Sequence, residues 1–89
     1  MKTQKKVKLD NKFGLHSRPA MKIAETAQQF SADVYLKFND NKVDAKSVIN
    51  ILMLGAGKGD ALTIMADGND SKNAVDSLRK LFESRFGEE

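Results

Sequence analysis

Apolar and polar residues alternate along three stretches of the chain, which is the pattern of half-buried β-strands. The alternation covers Lys5–Leu9, Val34–Phe38 and Ala61–Ala66. Turn-forming residues at Asn39–Asn41 predict that the chain reverses after the second stretch, with a short returning strand over Lys42–Ala45. The pattern therefore predicts four strands.

Two longer segments space their apolar residues by three and four, so that these residues share one helical face. The first predicted helix runs from Ser17 to Phe30. Its apolar stripe consists of Ala20, Ile23, Ala24, Ala27 and Phe30. The last predicted helix runs from about Ser71 to Phe86. Its inner stripe consists of Ala74, Val75, Leu78, Leu81, Phe82 and Phe86. A shorter helix is predicted over 47–54, ending at Gly55.

The predicted element order is β-α-β-β-α-β-α. The natural arrangement is an α+β fold in which a four-stranded sheet carries its helices on one face. A chain of 89 residues has room for one domain, spanning 1–89, and its modest core leaves little space for a deep pocket. A function performed at the surface, on a protein partner, is therefore favoured.

Composition excludes several classes of site. The chain has no cysteine, which rules out disulfides and zinc–thiolate centres, and its one histidine and scattered carboxylates predict no metal site. The N-terminus lacks the apolar run of a signal peptide, and no stretch is apolar enough to cross a membrane, so we expect a cytoplasmic protein with no membrane insertion. The net charge of +3 comes largely from lysines near the start, which are best explained as a solvated strand face.

The segment GLHSRPA, residues 14–20, carries the residues best suited to chemistry. An imidazole is a nucleophile at neutral pH, and His16 stands beside the start of a predicted helix, where free N–H groups stabilise an anion. Ser17 is a candidate N-cap and Pro19 suits the first turn, while the Arg18 guanidinium matches phosphate oxygens. Gly14 would permit close backbone approach. By itself, a lone histidine before a helix is more often a surface residue or a cap.

The short helix offers a second candidate site and an apolar surface. Ser47 is fully explained as an N-cap. The six apolar residues that follow it cannot all face the core. We expect Ile51 and Leu54 to be buried. The residues expected to face outward, as a docking surface for a protein partner, are Val48, Ile49, Leu52 and, from the first helix, Met21.

Two motifs carry a family resemblance. GLHSRPA and the segment AKSVINILMLGAGKGD, Ala45–Asp60, resemble the signatures around the active histidine and the regulatory serine of the HPr family. These are the histidine-containing phosphocarrier proteins of the bacterial phosphoenolpyruvate-dependent phosphotransferase system. The resemblance covers nearly the whole chain. It implies an open-faced β-sandwich, in which a four-stranded antiparallel sheet is covered by three helices.

The resemblance also implies roles for individual residues. His16 would be phosphorylated on Nδ1 by phospho-enzyme I and would donate to a histidine of an enzyme IIA domain. Arg18 would assist, with the backbone N–H groups of Ser17 and Arg18 as anion donors, and neither cofactor nor metal would be needed. Ser47 would be the target of an ATP-dependent HPr kinase/phosphorylase. The chain would be a carrier rather than a stand-alone enzyme, a monomer by default, with a transcriptional regulator as a further possible partner.

Two other functions stay open at this point. The runs SVINILML and LFESRFGEE are similar to the nitrogen-related branch of the phosphotransferase system, in which a member could act as a regulatory module on transcription factors or enzymes. A small nucleic-acid-binding domain is the other alternative. It rests on the basic first strand alone, and the acidic end Glu88–Glu89 and the scarcity of aromatic residues argue against it.

Overall fold

The computed structural model describes residues 1–88, so Glu89 of the predicted acidic end lies outside the described residues. The elements are β1 (Lys2–Lys8), α1 (Ser17–Ala27), β2 (Asp33–Phe38), β3 (Asn41–Asp44), α2 (Val48–Leu52), β4 (Ala61–Asp67) and α3 (Ser71–Glu83), followed by a 3-10 turn at Arg85–Gly87. The predicted order of strands and helices is confirmed.

The four strands form one antiparallel sheet in the order β1-β4-β2-β3. Every second side chain of a strand points toward the helices. The register places these inward residues opposite one another, Val7 with Leu62 and Leu36 with Ile64. Helix α3 packs against β1 and β4, and α1 packs against both α2 and α3. The predicted α+β sheet with helices on one face is therefore confirmed.

The core consists of the inward side chains of the sheet and the apolar stripes of the helices. Ile23, Leu36, Ile51, Ile64 and Leu78 are completely inaccessible to solvent. Each such side chain contributes roughly 1.5–3 kcal/mol through burial. Helical spacing predicted Ile23, Ile51 and Leu78, and strand alternation predicted Leu36 and Ile64. Leu54 is buried as predicted, although α2 ends before it, at Leu52.

The strand β1 starts at Lys2, three residues before the predicted start. Its first residues do not alternate in polarity, but their backbone pairs with β4 from Asp67 onward. Pairing with a neighbouring strand, rather than burial of side chains, extends the strand at this edge. The alternation rule has no signal for such residues.

Both long helices end earlier than the apolar stripes predicted. Helix α1 stops at Ala27, and the chain tightens into turns in which Phe30 N–H donates to the Ala27 carbonyl. Helix α3 stops at Glu83 because Arg85 and Phe86 adopt left-handed backbone angles, φ 55° and 56°. Phe86 nevertheless reaches the core, 1% exposed, and burial of its ring offsets the backbone strain of about 1–3 kcal/mol per residue.

The bend after α3 turns the C-terminal residues back toward the start of α1. Lys22 Nζ donates to the Phe86 carbonyl, and Arg85 Nη2 lies 3.4 Å from Asp10 Oδ2. Glu88 N–H donates to the Arg85 carbonyl at 2.8 Å. These contacts fix the path of the chain and place the Glu88 side chain beside His16.

Within residues 1–88, every helix falls short of the length and apolar character required to cross a bilayer.

Candidate functional site

A tight loop before α1 positions the candidate histidine. Leu15 N–H donates to the Ala56 carbonyl, which ties this loop to the segment after α2. Gly14 lies at φ 65°, and a Cβ there would come within 2.8 Å of both the Ala56 oxygen and the Gly57 Cα. Glycine is thus required by backbone angle and by close approach, as the sequence predicted.

His16 itself is the N-cap of α1, with φ −81° and ψ −173°, and its carbonyl accepts the Ala20 N–H at 3.1 Å. The prediction that Ser17 is the cap was wrong, because Ser17 is already the first helical residue. Pro19 occupies the first turn as predicted and contributes no N–H. The two N–H groups of the first turn without a partner in the helix therefore belong to Ser17 and Arg18.

The imidazole of His16 is partly accessible, with 34% of its side chain exposed. Its Nε2 lies 3.0 Å from Oε1 and 2.9 Å from Oε2 of Glu88. Within the described chain, Nδ1 has no hydrogen-bond partner. A nucleophilic nitrogen is thus free on one edge of the ring while the other edge is held.

Glu88 is the main residue that the sequence did not identify. Its side chain is 11% exposed, and Asn11 Nδ2 donates to its Oε1 at 2.9 Å. The hydrogen bond from His16 lowers the pKa of Glu88, and the Asn11 hydrogen bond and the Arg18 positive charge act in the same direction. Arg18 is exposed and has no ion-pair partner within 4.0 Å among residues 1–88.

A set of exposed apolar side chains lies on α1, on the loop before it and on the neighbouring α2 segment. We call it the docking patch. It comprises the exposed side chains of Phe13, Met21, Ile49, Leu52 and Met53. These residues lie on the loop before α1, on α1 itself, and on or next to α2, which packs against α1.

The predicted docking residues fall into two groups. Met21, Ile49 and Leu52 are exposed as predicted, at 51%, 70% and 39%. Val48 is a correction, because it is only partly exposed and packs against the core. It is the first residue of the five-residue helix α2, which contacts both α1 and β3. Phe13 was missed because a single aromatic residue in a loop has no periodic signal.

Ser47 is the N-cap of α2, as predicted. Its backbone is extended, with φ −114° and ψ 115°, and its Oγ accepts the Asn50 N–H at 3.3 Å. The hydroxyl is part-buried rather than enclosed. It stands directly before Val48 and Ile49, so it borders the docking patch.

The described residues contain no group of three histidine or acidic side chains that could hold a metal ion. The Glu88 carboxylate contacts the His16 ring, and the exposed Arg18 lies two residues after His16, where its guanidinium can reach an anion on the ring. The arrangement can do one kind of chemistry well. It can expose a nucleophilic nitrogen beside two N–H groups and an arginine.

Comparison with known proteins gives consistent matches over nearly the full length. The family described as "PTS HPr component phosphorylation site" matches residues 3–84. The phosphocarrier protein HPr of Cupriavidus necator is 40% identical over 85 residues, 96% of either chain. The structure of HPr-C-His from Thermoanaerobacter tengcongensis has a TM-score of 0.94 at 38% identity and covers 98% of both chains. An HPr dimer from that organism has a TM-score of 0.78 at 39% identity, covering 92% of this chain and 94% of that one.

Proposed function

The chain belongs to the HPr family of the phosphotransferase system, and from that premise we propose that His16 takes a phosphoryl group from phospho-enzyme I and passes it to a histidine of an enzyme IIA domain. The observation that carries this proposal is the geometry of the His16 ring. Its Nε2 is held by a carboxylate while Nδ1 is free at a helix N-terminus.

The transfer balances without a cofactor. The His16 Nδ1 lone pair attacks the phosphorus of the donor phosphohistidine, a P–N bond forms, and the donor's P–N bond breaks with its electron pair returning to the donor imidazole. The same step runs in the opposite sense toward the acceptor, in which His16 becomes the leaving group. Nothing is oxidised or reduced.

Charge stabilisation comes from the start of α1. The phosphoryl group on His16 would lie near the N–H groups of Ser17 and Arg18 and near the Arg18 guanidinium. The helix dipole adds about 0.3–1 kcal/mol of stabilisation for an anion at this position. Because Arg18 is exposed and has no ion-pair partner within residues 1–88, its guanidinium is available to follow the phosphate between protein partners.

The docking patch supplies the surface for those partners. An apolar area beside a reactive group is typical of a protein-binding site, and its methionines adapt to more than one partner. We propose that enzyme I and the IIA domain use the same patch in turn. That arrangement explains how one accessible histidine can both receive and deliver the group.

Ser47 is proposed as a regulatory phosphorylation site for an HPr kinase/phosphorylase. A phosphate there would add about two negative charges at the edge of the docking patch. Partners that bind through apolar contacts would bind less well, because a charged group would have to be desolvated. The His16 ring would keep its reactivity, but the partner proteins would reach it less often.

We propose that the protein works as a single domain, 1–89, in the cytoplasm and as a monomer. The oligomeric state needs a direct measurement, because a similar structure from Thermoanaerobacter tengcongensis is an HPr dimer. Light scattering on the purified protein across its working concentrations tests it, and a stable dimer would contradict it.

The deciding experiment uses phosphoenolpyruvate, enzyme I and the purified chain. We expect a mass gain of one phosphate that is labile to acid and stable to alkali, absent from His16→Ala and present in Ser47→Ala. Addition of a IIA domain should then remove the phosphate from His16. Failure of a competent enzyme I to phosphorylate the folded wild-type chain would overturn the proposal.

A further inference from the structure

The side chains behind His16 form a connected hydrogen-bonded set. A carboxylate only accepts hydrogen bonds, so the short contacts from Glu88 to Nε2 place a hydrogen on Nε2. In a neutral imidazole the lone pair then lies on Nδ1. The carboxylate thus determines which nitrogen of His16 is nucleophilic.

Asn11 fixes that carboxylate. The side chain of Asn11 is completely buried, and its Nδ2 donates to Glu88 Oε1 at 2.9 Å and to the Gly14 carbonyl at 2.8 Å. The same Gly14 carbonyl accepts the His16 N–H at 3.0 Å. One buried amide therefore links the carboxylate to the backbone that carries the histidine.

The orientation of this amide has only one workable choice. Rotation of the Asn11 amide by half a turn would point Oδ1 at two acceptors, the Gly14 carbonyl and the Glu88 carboxylate, and would lose both hydrogen bonds. In the observed orientation Oδ1 is buried without a hydrogen-bond partner among residues 1–88. The observed orientation is the one in which both Nδ2 hydrogens of Asn11 reach an acceptor oxygen.

Glu88 is also held from its other side. The left-handed residues Arg85 and Phe86 bend the chain, and Gly87 follows at φ 73°. Phe86 is anchored in the core at 1% exposure, next to the Phe82 ring at a centroid distance of 4.9 Å. The contact between Glu88 and His16 is thus built into the fold of the C-terminal turn.

We infer that Asn11 and Glu88 are positioning residues that hold the His16 ring, with Nε2–H on the carboxylate and Nδ1 directed outward as the nucleophile. The inference rests on the proposed transfer function. During transfer the ring gains positive charge as the Nδ1–P bond forms, and the Glu88 carboxylate stabilises that charge while the proton stays on Nε2. The donor nitrogen takes the electron pair of the broken P–N bond.

The test compares three variants with the wild-type chain. Glu88→Gln removes the charge and keeps the shape, Glu88→Ala removes the contact, and Asp40→Asn is the control. Asp40 is exposed in the turn between β2 and β3, so its variant makes the same charge change away from these contacts. Two readouts are used. One is the NMR signal of the His16 Nε2–H and its exchange with solvent, and the other is the rate of phosphorylation by enzyme I.

We expect a slowly exchanging Nε2–H signal in the wild-type chain and in Asp40→Asn, and its loss in Glu88→Ala. The kcat for transfer should fall about tenfold in both Glu88 variants at unchanged KM, since Glu88 lies behind the ring and outside the docking patch. A persistent Nε2–H signal in Glu88→Ala, or transfer rates within twofold of wild type, would overturn the inference. Absence of phosphorylation in the wild type would instead contradict the proposed function, and the NMR signal would still test the positioning.

Discussion

The Phe13 ring meets the His16 imidazole edge-on, with centroids 5.8 Å apart and planes at 86°. Phe13 is 70% exposed, and Lys12 Nζ lies 5.4 Å from its centroid. A large aromatic side chain left in solvent beside the proposed nucleophile is an unusual use of apolar surface. The exposure of Phe13 is explained if a partner protein covers the ring as that protein approaches His16.

Removal of the Phe13 ring should therefore weaken partner binding. For Phe13→Ala we expect the KM for phospho-enzyme I to rise about five- to thirtyfold, the equivalent of about 1–2 kcal/mol, with kcat little changed. Steady-state kinetics with increasing concentrations of the chain measure both quantities. Phe13→Tyr keeps the ring and should keep the wild-type KM, and an unchanged KM in Phe13→Ala would remove Phe13 from the docking patch.

A negative charge at Ser47 should act on the same step. Ser47→Asp places a carboxylate at the N-cap of α2, where it can still accept the Asn50 N–H, so the helix should persist. We expect a several-fold rise in KM for enzyme I and an unchanged kcat. Asn39→Asp adds the same charge in the turn between β2 and β3 and should leave KM unaltered. Equal effects of the two variants would show that net charge, rather than position, matters.

The residues that sequence identified and those it missed differ in a physical way. Helical spacing and alternation report burial, so they found the core and the exposed Ile49 and Leu52. Local chemistry predicted His16 and Arg18 as site residues, and the structure places both at the start of α1. Asn11 and Glu88 are 77 residues apart and meet only because the chain bends at Arg85 and Phe86. That bend breaks the apolar stripe of α3, which predicted a helix through Phe86, and nothing in the local sequence signals it.

Two alanine substitutions distinguish the steric cost of a Cβ at Gly14 from the cost of its left-handed backbone angle. Gly14→Ala and Gly55→Ala introduce the same methyl at nearly the same angle, φ 65° and φ 67°. A Cβ at Gly55 would meet nothing within 4 Å, whereas one at Gly14 would meet the Ala56 oxygen at 2.8 Å. We expect Gly55→Ala to lower the free energy of unfolding by about 1–2 kcal/mol and Gly14→Ala by about 1–3 kcal/mol more. Urea denaturation measures both free energies of unfolding. Equal decreases in the two variants would show that the loop moves to accommodate the Cβ at Gly14 without a measurable loss of stability.

The contacts of Glu88 should be visible in its own titration. The pKa of its carboxyl is lowered from the ordinary value of 4.5, first by the hydrogen bond from His16 and then by that from Asn11. In a carbon-13 NMR titration the pKa of Glu88 should rise in both His16→Ala and Asn11→Ala, more in the former. Because the pKa is lower in the folded state, Glu88 contributes stability above pH 4.5 that is lost as the pH falls through its folded pKa. No rise in His16→Ala would contradict the contact.

The Asp70 carboxylate should make a second pH-dependent contribution to the free energy of unfolding, independent of the histidine site. Its two carboxylate oxygens accept the N–H groups of Ser31 at 2.9 Å and Ala32 at 2.8 Å, and the Ser31 hydrogen bond is the main cause of its lowered pKa. The ordinary value is 3.8, so this contribution is complete above about pH 4 and fades as acid protonates the folded state.

The variant Asp70→Asn keeps one acceptor oxygen and turns an amide NH2 toward the second N–H group. We expect a lower urea midpoint than wild type at pH 6 and a difference that shrinks steadily as the pH falls from 4 toward 2. Asp40→Asn, in an exposed turn, is the matched control and should follow the wild-type curve throughout. A difference between Asp70→Asn and wild type that stays constant with pH would mean that packing, and not the ionised carboxylate, holds the Ser31 turn in place.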